Sequence, residues 1–135
     1  MIYYFFSISE GYDDLTVTCG TFPLHKIGSD PYINENTGFI YDISKFKFVL
    51  LILKSNTVTS IAAGSSYFFG SLFQIPLCNK INFIGNRADT GRACFTVTVE
   101  FNQSNANANL TLNAQDTIPS GVELCANVSY FYYYK

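Results

Sequence analysis

Residues 93–101 constrain the fold more than any other segment. Ala93, Phe95, Val97, Val99 and Phe101 alternate with Cys94, Thr96, Thr98 and Glu100. A period of two, apolar on one side and mostly polar on the other, is the pattern of a half-buried antiparallel strand. After the polar stretch 102–109, Leu110 and Leu112 flank Thr111 in a second, short strand. The turn Thr117-Ile118-Pro119-Ser120-Gly121 launches a third, with Val122, Leu124, Ala126, Val128 and Tyr130 on one face. These three strands are expected to pair in sequence order as an antiparallel meander.

The rest of the chain reads as further short strands. Gly, Asn and Ser punctuate it, and no capped amphipathic helix stands out. Residues 2–8 and 15–19 form strands around the turn Glu10-Gly11-Tyr12-Asp13-Asp14, and 22–38 form a long surface loop. In 39–54, Phe46, Val49, Leu50 and Leu53 also fit a helical spacing behind Ser44. The aromatic, β-rich composition and the neighbouring strands favour a strand. Residues 67–73 and 81–84 add two more. The sum, eight or nine short strands in 135 residues, predicts one all-β domain, an antiparallel β-sandwich of jelly-roll type.

Composition matters most for what must cover this domain. Charged residues are 13% of the chain against a usual level of about 25%, while aromatics reach 17%, with 13 Phe, 10 Tyr and no Trp. A surface so poor in charge is most simply hidden against further copies of the chain, so oligomerisation is expected. The net charge of −2, with Arg87 and Arg92 the only arginines, excludes the clustered cations that nucleic-acid phosphates require. The longest uncharged apolar runs, such as residues 48–53, are far short of the ~20 that span a bilayer as a helix. The apolar start Met1-Ile2-Tyr3-Tyr4-Phe5-Phe6 lacks the basic lead and cleavage site of a signal peptide, so no secretory route is expected. The sequons at Asn102, Asn109 and Asn127 matter only on a eukaryotic secretory route. Cys19, Cys78, Cys94 and Cys125 are widely spaced, without a C-x-x-C pair. They read as small buried hydrophobes, with one or two disulfides as the alternative.

Catalytic chemistry has little to stand on. The single histidine, His25, lies between Pro23 and Gly28, a surface position rather than a base. Asp13 and Asp14 share a turn and read as turn formers rather than a glycosidase pair. Asp30, Asn34, Glu35 and Asn36 offer hard oxygens but no calcium-loop framework, so no metal or other cofactor is expected. In Gly85-Asn86-Arg87-Ala88-Asp89-Thr90-Gly91-Arg92, two arginines flank an aspartate. Such a loop either grips a carboxylate or sugar hydroxyls, or holds only a local Arg–Asp pair. The terminus Tyr130-Phe131-Tyr132-Tyr133-Tyr134 is aromatic on both faces. Tyr130, Tyr132 and Tyr134 take the core side, leaving Phe131 and Tyr133 for a subunit interface, or for stacking on sugar rings.

The second half carries a resemblance. Ser60-Ile61-Ala62-Ala63-Gly64-Ser65-Ser66-Tyr67-Phe68-Phe69-Gly70-Ser71-Leu72 leads to a turn at Pro76 and a short strand. The alternating strand, a hairpin, Ile118-Pro119-Ser120-Gly121 and a closing Val128-Ser129-Tyr130 follow. Over residues 58–132 this order resembles the C-terminal head domains of bacteriophage tail-fibre and baseplate receptor-binding proteins. The resemblance implies a β-sandwich that trimerises, sits on the virion outside the cell, and attaches to a host-surface saccharide or protein. It also implies other virion proteins as partners, although the chain carries no shaft repeat, which leaves a separate subunit or a fragment open. A structural virion subunit with no receptor of its own, or a lectin-like adhesin, are the alternatives. The family supplies no shared binding motif, so the candidates are local: Tyr32 and Asn34 in the long loop, and Arg87, Asp89 and Arg92 in the second.

Overall fold

A period-two sequence needs partners along both strand edges, and the computed structural model shows how they are found. It describes residues 2–10, 13–24 and 36–133, with side chains at 17–20, 38–68 and 70–133. The strands are β1 (Ile2–Glu10), β2 (Asp13–Leu24), β3 (Asn36–Ile43), β4 (Phe48–Asn56), β5 (Ser66–Leu72), β6 (Ile75–Pro76), β7 (Lys80–Arg87), β8 (Ala93–Asn102), β9 (Asn107–Ala114) and β10 (Glu123–Tyr133). The chain is all-β and antiparallel, as the alternation requires. The described residues form ten strands where eight or nine were expected. Hydrogen bonding joins nine of them in one path, β1-β2-β3-β4-β10-β7-β8-β9-β5, and β6 pairs with β10. The sheet does not close into a barrel, although its far edge β5 comes close to β2.

One side of this sheet makes the core. Alternate residues of β4 (Val49, Leu51, Leu53), β8 (Phe95, Val97, Val99), β9 (Ala108, Leu110, Leu112, Ala114) and β10 (Leu124, Ala126, Val128, Tyr130, Tyr132) are buried together. The outward residues of β8 and β9 are polar and bond across strands: Asn113 Nδ2 donates to Thr98 Oγ1 at 2.8 Å, and Thr98 Oγ1 donates to Asn82 Oδ1 at 2.6 Å. The Asn-rich turn between them is built from Asx turns, in which Asn102 and Asn105 side chains accept from the backbone N–H groups of Ser104 and Asn107.

The expected meander is half right. β8 and β9 pair as a hairpin, but β10 does not lie beside β9. The free edge of β9 is taken by β5, and β10 crosses to insert between β4 and β7. Its core face is unbroken from Leu124 to Tyr132, as a central strand requires. The crossing is tied down by the segments that carry the head-domain resemblance. Ile61 and Ile118 exchange both backbone bonds at 2.8 Å, Gly64 N–H donates to Ala114 O, and Gly121 N–H donates to Thr57 O. Thr57 Oγ1 donates to Pro119 O and accepts from Val122 N–H. Gly64 and Gly121 have φ of +85° and +72°, conformations that favour glycine. These motif residues therefore form a structural clasp.

Residues 39–54 form two strands rather than a helix, β3 and β4, joined by the turn at residues 44–47. The strand reading holds; the helical spacing comes from apolar residues on both faces. β2 runs on through Leu24 and β3 starts at Asn36, so residues 22–24 and 36–38 are strand where a loop was expected, while residues 25–35 lie outside the described residues. The cysteines also need correcting, because only Cys94 is buried. Cys19 and Cys125 are half-buried and Cys78 is exposed; all four are free thiols. Cys125 lies on the outward phase of β10 between Leu124 and Ala126, and Cys78 sits in a turn, where its thiol donates to Lys80 O.

Candidate functional site

The arginine loop becomes a β-hairpin end with a pocket behind it. β7 and β8 pair up to Asn86 and Ala93, with a register shift after Gly85 that turns the hairpin end. Arg87 N–H donates to Arg92 O, Gly91 N–H donates to Arg87 O, and Ala88 N–H donates to Glu123 O on β10. The loop is thus fixed at three points. Arg87 grips Asp89 through a fork, with Nε to Oδ1 at 3.0 Å and Nη2 to Oδ2 at 2.7 Å. That contact lowers the Asp89 carboxyl below its ordinary range and raises the Arg87 guanidinium, the shared hydrogen bonds being the main cause. Replacing Arg87 with alanine is therefore expected to bring the Asp89 carboxyl titration, followed by NMR, back up toward that of a free aspartate. An unchanged titration would show that the pair does not persist in solution.

Arg92 is different. It is exposed, and its guanidinium makes no ion pair or hydrogen bond with any described residue; the backbone N–H of Arg92 donates to Thr90 Oγ1 at 3.2 Å. Arg87, Thr90 and Arg92 line a pocket of about 210 Å³ whose other wall is Asp116 and Thr117, from the start of the crossing between β9 and β10, with Cys94 beneath. Gln115 and Asp116 N–H groups both donate to Cys94 O, which fixes that wall against β8. Burial pushes the Cys94 thiol up, so it stays protonated and is a poor nucleophile.

Of the candidates in this loop, Arg87 and Asp89 form a local ion pair, and Arg87 and Arg92 line one pocket whose lining does not include Asp89. Tyr32 and Asn34 lie outside the described residues, as do His25 and the calcium candidates Asp30 and Glu35. Asp116 and Thr117 escape a reading of the sequence, because only the crossing places them beside the hairpin.

A second surface of interest is apolar. β3 and β4 carry apolar side chains on both faces: opposite the core lie Phe39, Tyr41 and Ile43 on β3, and Phe48, Leu50 and Ile52 on β4, exposed or half-buried. β10 extends this face with Phe131, 55% exposed and stacked edge-on against Phe48 at a centroid distance of 5.0 Å. Beside them, a pocket of about 350 Å³ is lined by Phe48, Pro76, Leu77, Ile81, Tyr130 and Phe131. Leu77 is 63% exposed. Tyr133, expected to join Phe131 on this surface, is instead half-buried against the core edge, and its hydroxyl donates to Asn79 Oδ1 at 3.0 Å.

Among the described residues no three His, Cys, Asp or Glu side chains are grouped so as to hold a metal ion. Compared with protein-family models, with curated proteins and with solved structures, the chain matches none.

Proposed function

We propose that this protein is a non-catalytic attachment protein of a virion, a homotrimeric β head that binds a host-surface saccharide. One observation carries this reading: β3 and β4 have apolar side chains on both faces, and the face opposite the core, extended by Phe131 of β10, is left exposed or half-buried among the described residues. A core needs only one such face. The second, with Phe39, Phe48, Leu50, Ile52 and Phe131, is the kind of surface that copies of a chain cover for one another. The arginine hairpin carries none of these apolar residues. The order of strands and turns that resembles phage head domains supports the same reading, and so does a pocket that holds two guanidinium groups, two threonines and a carboxylate but no activated nucleophile.

The test is retention on immobilised bacterial surface polysaccharides with a parallel assay for new reducing ends. Retention without cleavage is expected. Cleavage would make the protein a depolymerase, and failure to bind any polysaccharide or host cell would leave only a structural role in the virion.

A further inference from the structure

We infer that the Arg92 pocket takes an acidic sugar residue, its carboxylate on the Arg92 guanidinium and its hydroxyls on Thr90, Thr117 and Asp116. The inference rests on the saccharide-binding part of the proposed function and names the class of sugar.

The charges decide between candidate anions. Four ionised groups surround the pocket or its rim: Arg87 and Arg92 against Asp89 and Asp116. Asp89 occupies the Arg87 fork, which leaves one unengaged cation among them, Arg92. A planar carboxylate with one negative charge matches one guanidinium fork. A phosphate dianion would bring a second charge beside Asp116 and Asp89 with no second free cation to receive it. The remaining lining suits a polyol. Thr90 Oγ1 already accepts from the Arg92 backbone, so its proton is free to be donated. Thr117 offers a second hydroxyl, and the Asp116 carboxylate accepts from ligand hydroxyls. At about 210 Å³ the pocket is below the usual ~300–1,000 Å³ of small-molecule sites and admits a single sugar residue. Both walls are held by backbone hydrogen bonds, so little order has to be created on binding.

The experiment is an NMR titration of the whole protein with sodium glucuronate, glucose and glucose 6-phosphate. Glucuronate is expected to bind at least about tenfold more tightly than glucose, and glucose 6-phosphate no better than glucuronate. Arg92→Ala should weaken glucuronate about tenfold or more while leaving the thermal midpoint unchanged, because Arg92 is exposed. Arg92→Lys, which keeps the charge and loses the fork, should fall between. Equal binding of glucose and glucuronate, tighter binding of the phosphate, or an unaffected Arg92→Ala would each overturn the inference. Polysaccharide retention that survives Arg92→Ala would sink this site and leave the attachment reading standing. Loss of all saccharide binding in the unaltered protein would sink both.

Discussion

Asp42→Ala is expected to destabilise the protein by about 3 kcal/mol, one of the largest losses available from a single polar side chain. Asp42 sits on the core side of β3 and is buried, as are its partners. Tyr132 Oη donates to Asp42 Oδ1 at 2.6 Å and Gln74 Nε2 donates to Asp42 Oδ2 at 2.9 Å. Tyr130 Oη donates to Gln74 O at 2.7 Å, and its phenol is pushed upward, chiefly by burial and secondarily by Asp42. Removing the carboxylate orphans two buried donors, each costing about 1–3 kcal/mol. Asp42→Asn should cost much less, about 1 kcal/mol. Gln74 Oε1 is buried without a partner, so rotating that amide lets it accept from the introduced carboxamide while Tyr132 keeps its acceptor, and the remaining loss comes from Nε2 taking the unpartnered position. Chemical denaturation of both variants checks this. Equally large losses would mean that an amide cannot replace the carboxylate, and equally small ones that the carboxylate's partners are satisfied in some other way.

Gly85→Ala is the second substitution expected to be severe, for a steric reason. Gly85 lies opposite Phe95 at the register shift between β7 and β8, and the Phe95 ring occupies the space where a Cβ on residue 85 would project. The ring is 4% exposed and packed in the core, so it has nowhere to retreat. Overpacking of this kind costs about 1–3 kcal/mol, and the upper end is expected here because backbone and ring are both confined. The decisive control is the double substitution Gly85→Ala with Phe95→Leu. Removing the ring should make the alanine nearly neutral, so the two changes are strongly non-additive in unfolding free energy. Additive losses would show that Gly85 is needed for its backbone conformation instead.

How much of this is legible in the sequence depends on how many neighbours each residue has to answer to. β8, β9 and β10 are the most legible because each buries one phase over most of its length; the reading fails at the start of β8, where Ala93 is exposed and Cys94 is buried beside Phe95. β3 and β4 are harder, since their second apolar face fills in the alternation and imitates a helix around Val49, Leu50 and Leu53. The insertion of β10 between β4 and β7 is not legible, because strand order depends on which edges are already filled. The arginine hairpin is visible as two cations around an aspartate, but Asp116 and Thr117 reach it only through that crossing. Asp42 leaves a trace: it is in phase with buried Ile40 on a strand rich in apolar side chains. A lone carboxylate on a core phase calls for buried donors, and Tyr132 near the aromatic terminus supplies one of them.

On the proposed function, the exposed and half-buried apolar face of β3 and β4, with Phe131 of β10, is covered by other copies of the same chain. The most direct test of this is the molar mass of the purified protein by light scattering, run beside Leu50→Glu, which places a charge in the middle of that face. A homotrimer of the 15.1 kDa chain would register three times that mass, 45.3 kDa, and the Leu50→Glu variant should fall toward the single-chain value. A monomer of 15.1 kDa for the unaltered protein would contradict the account.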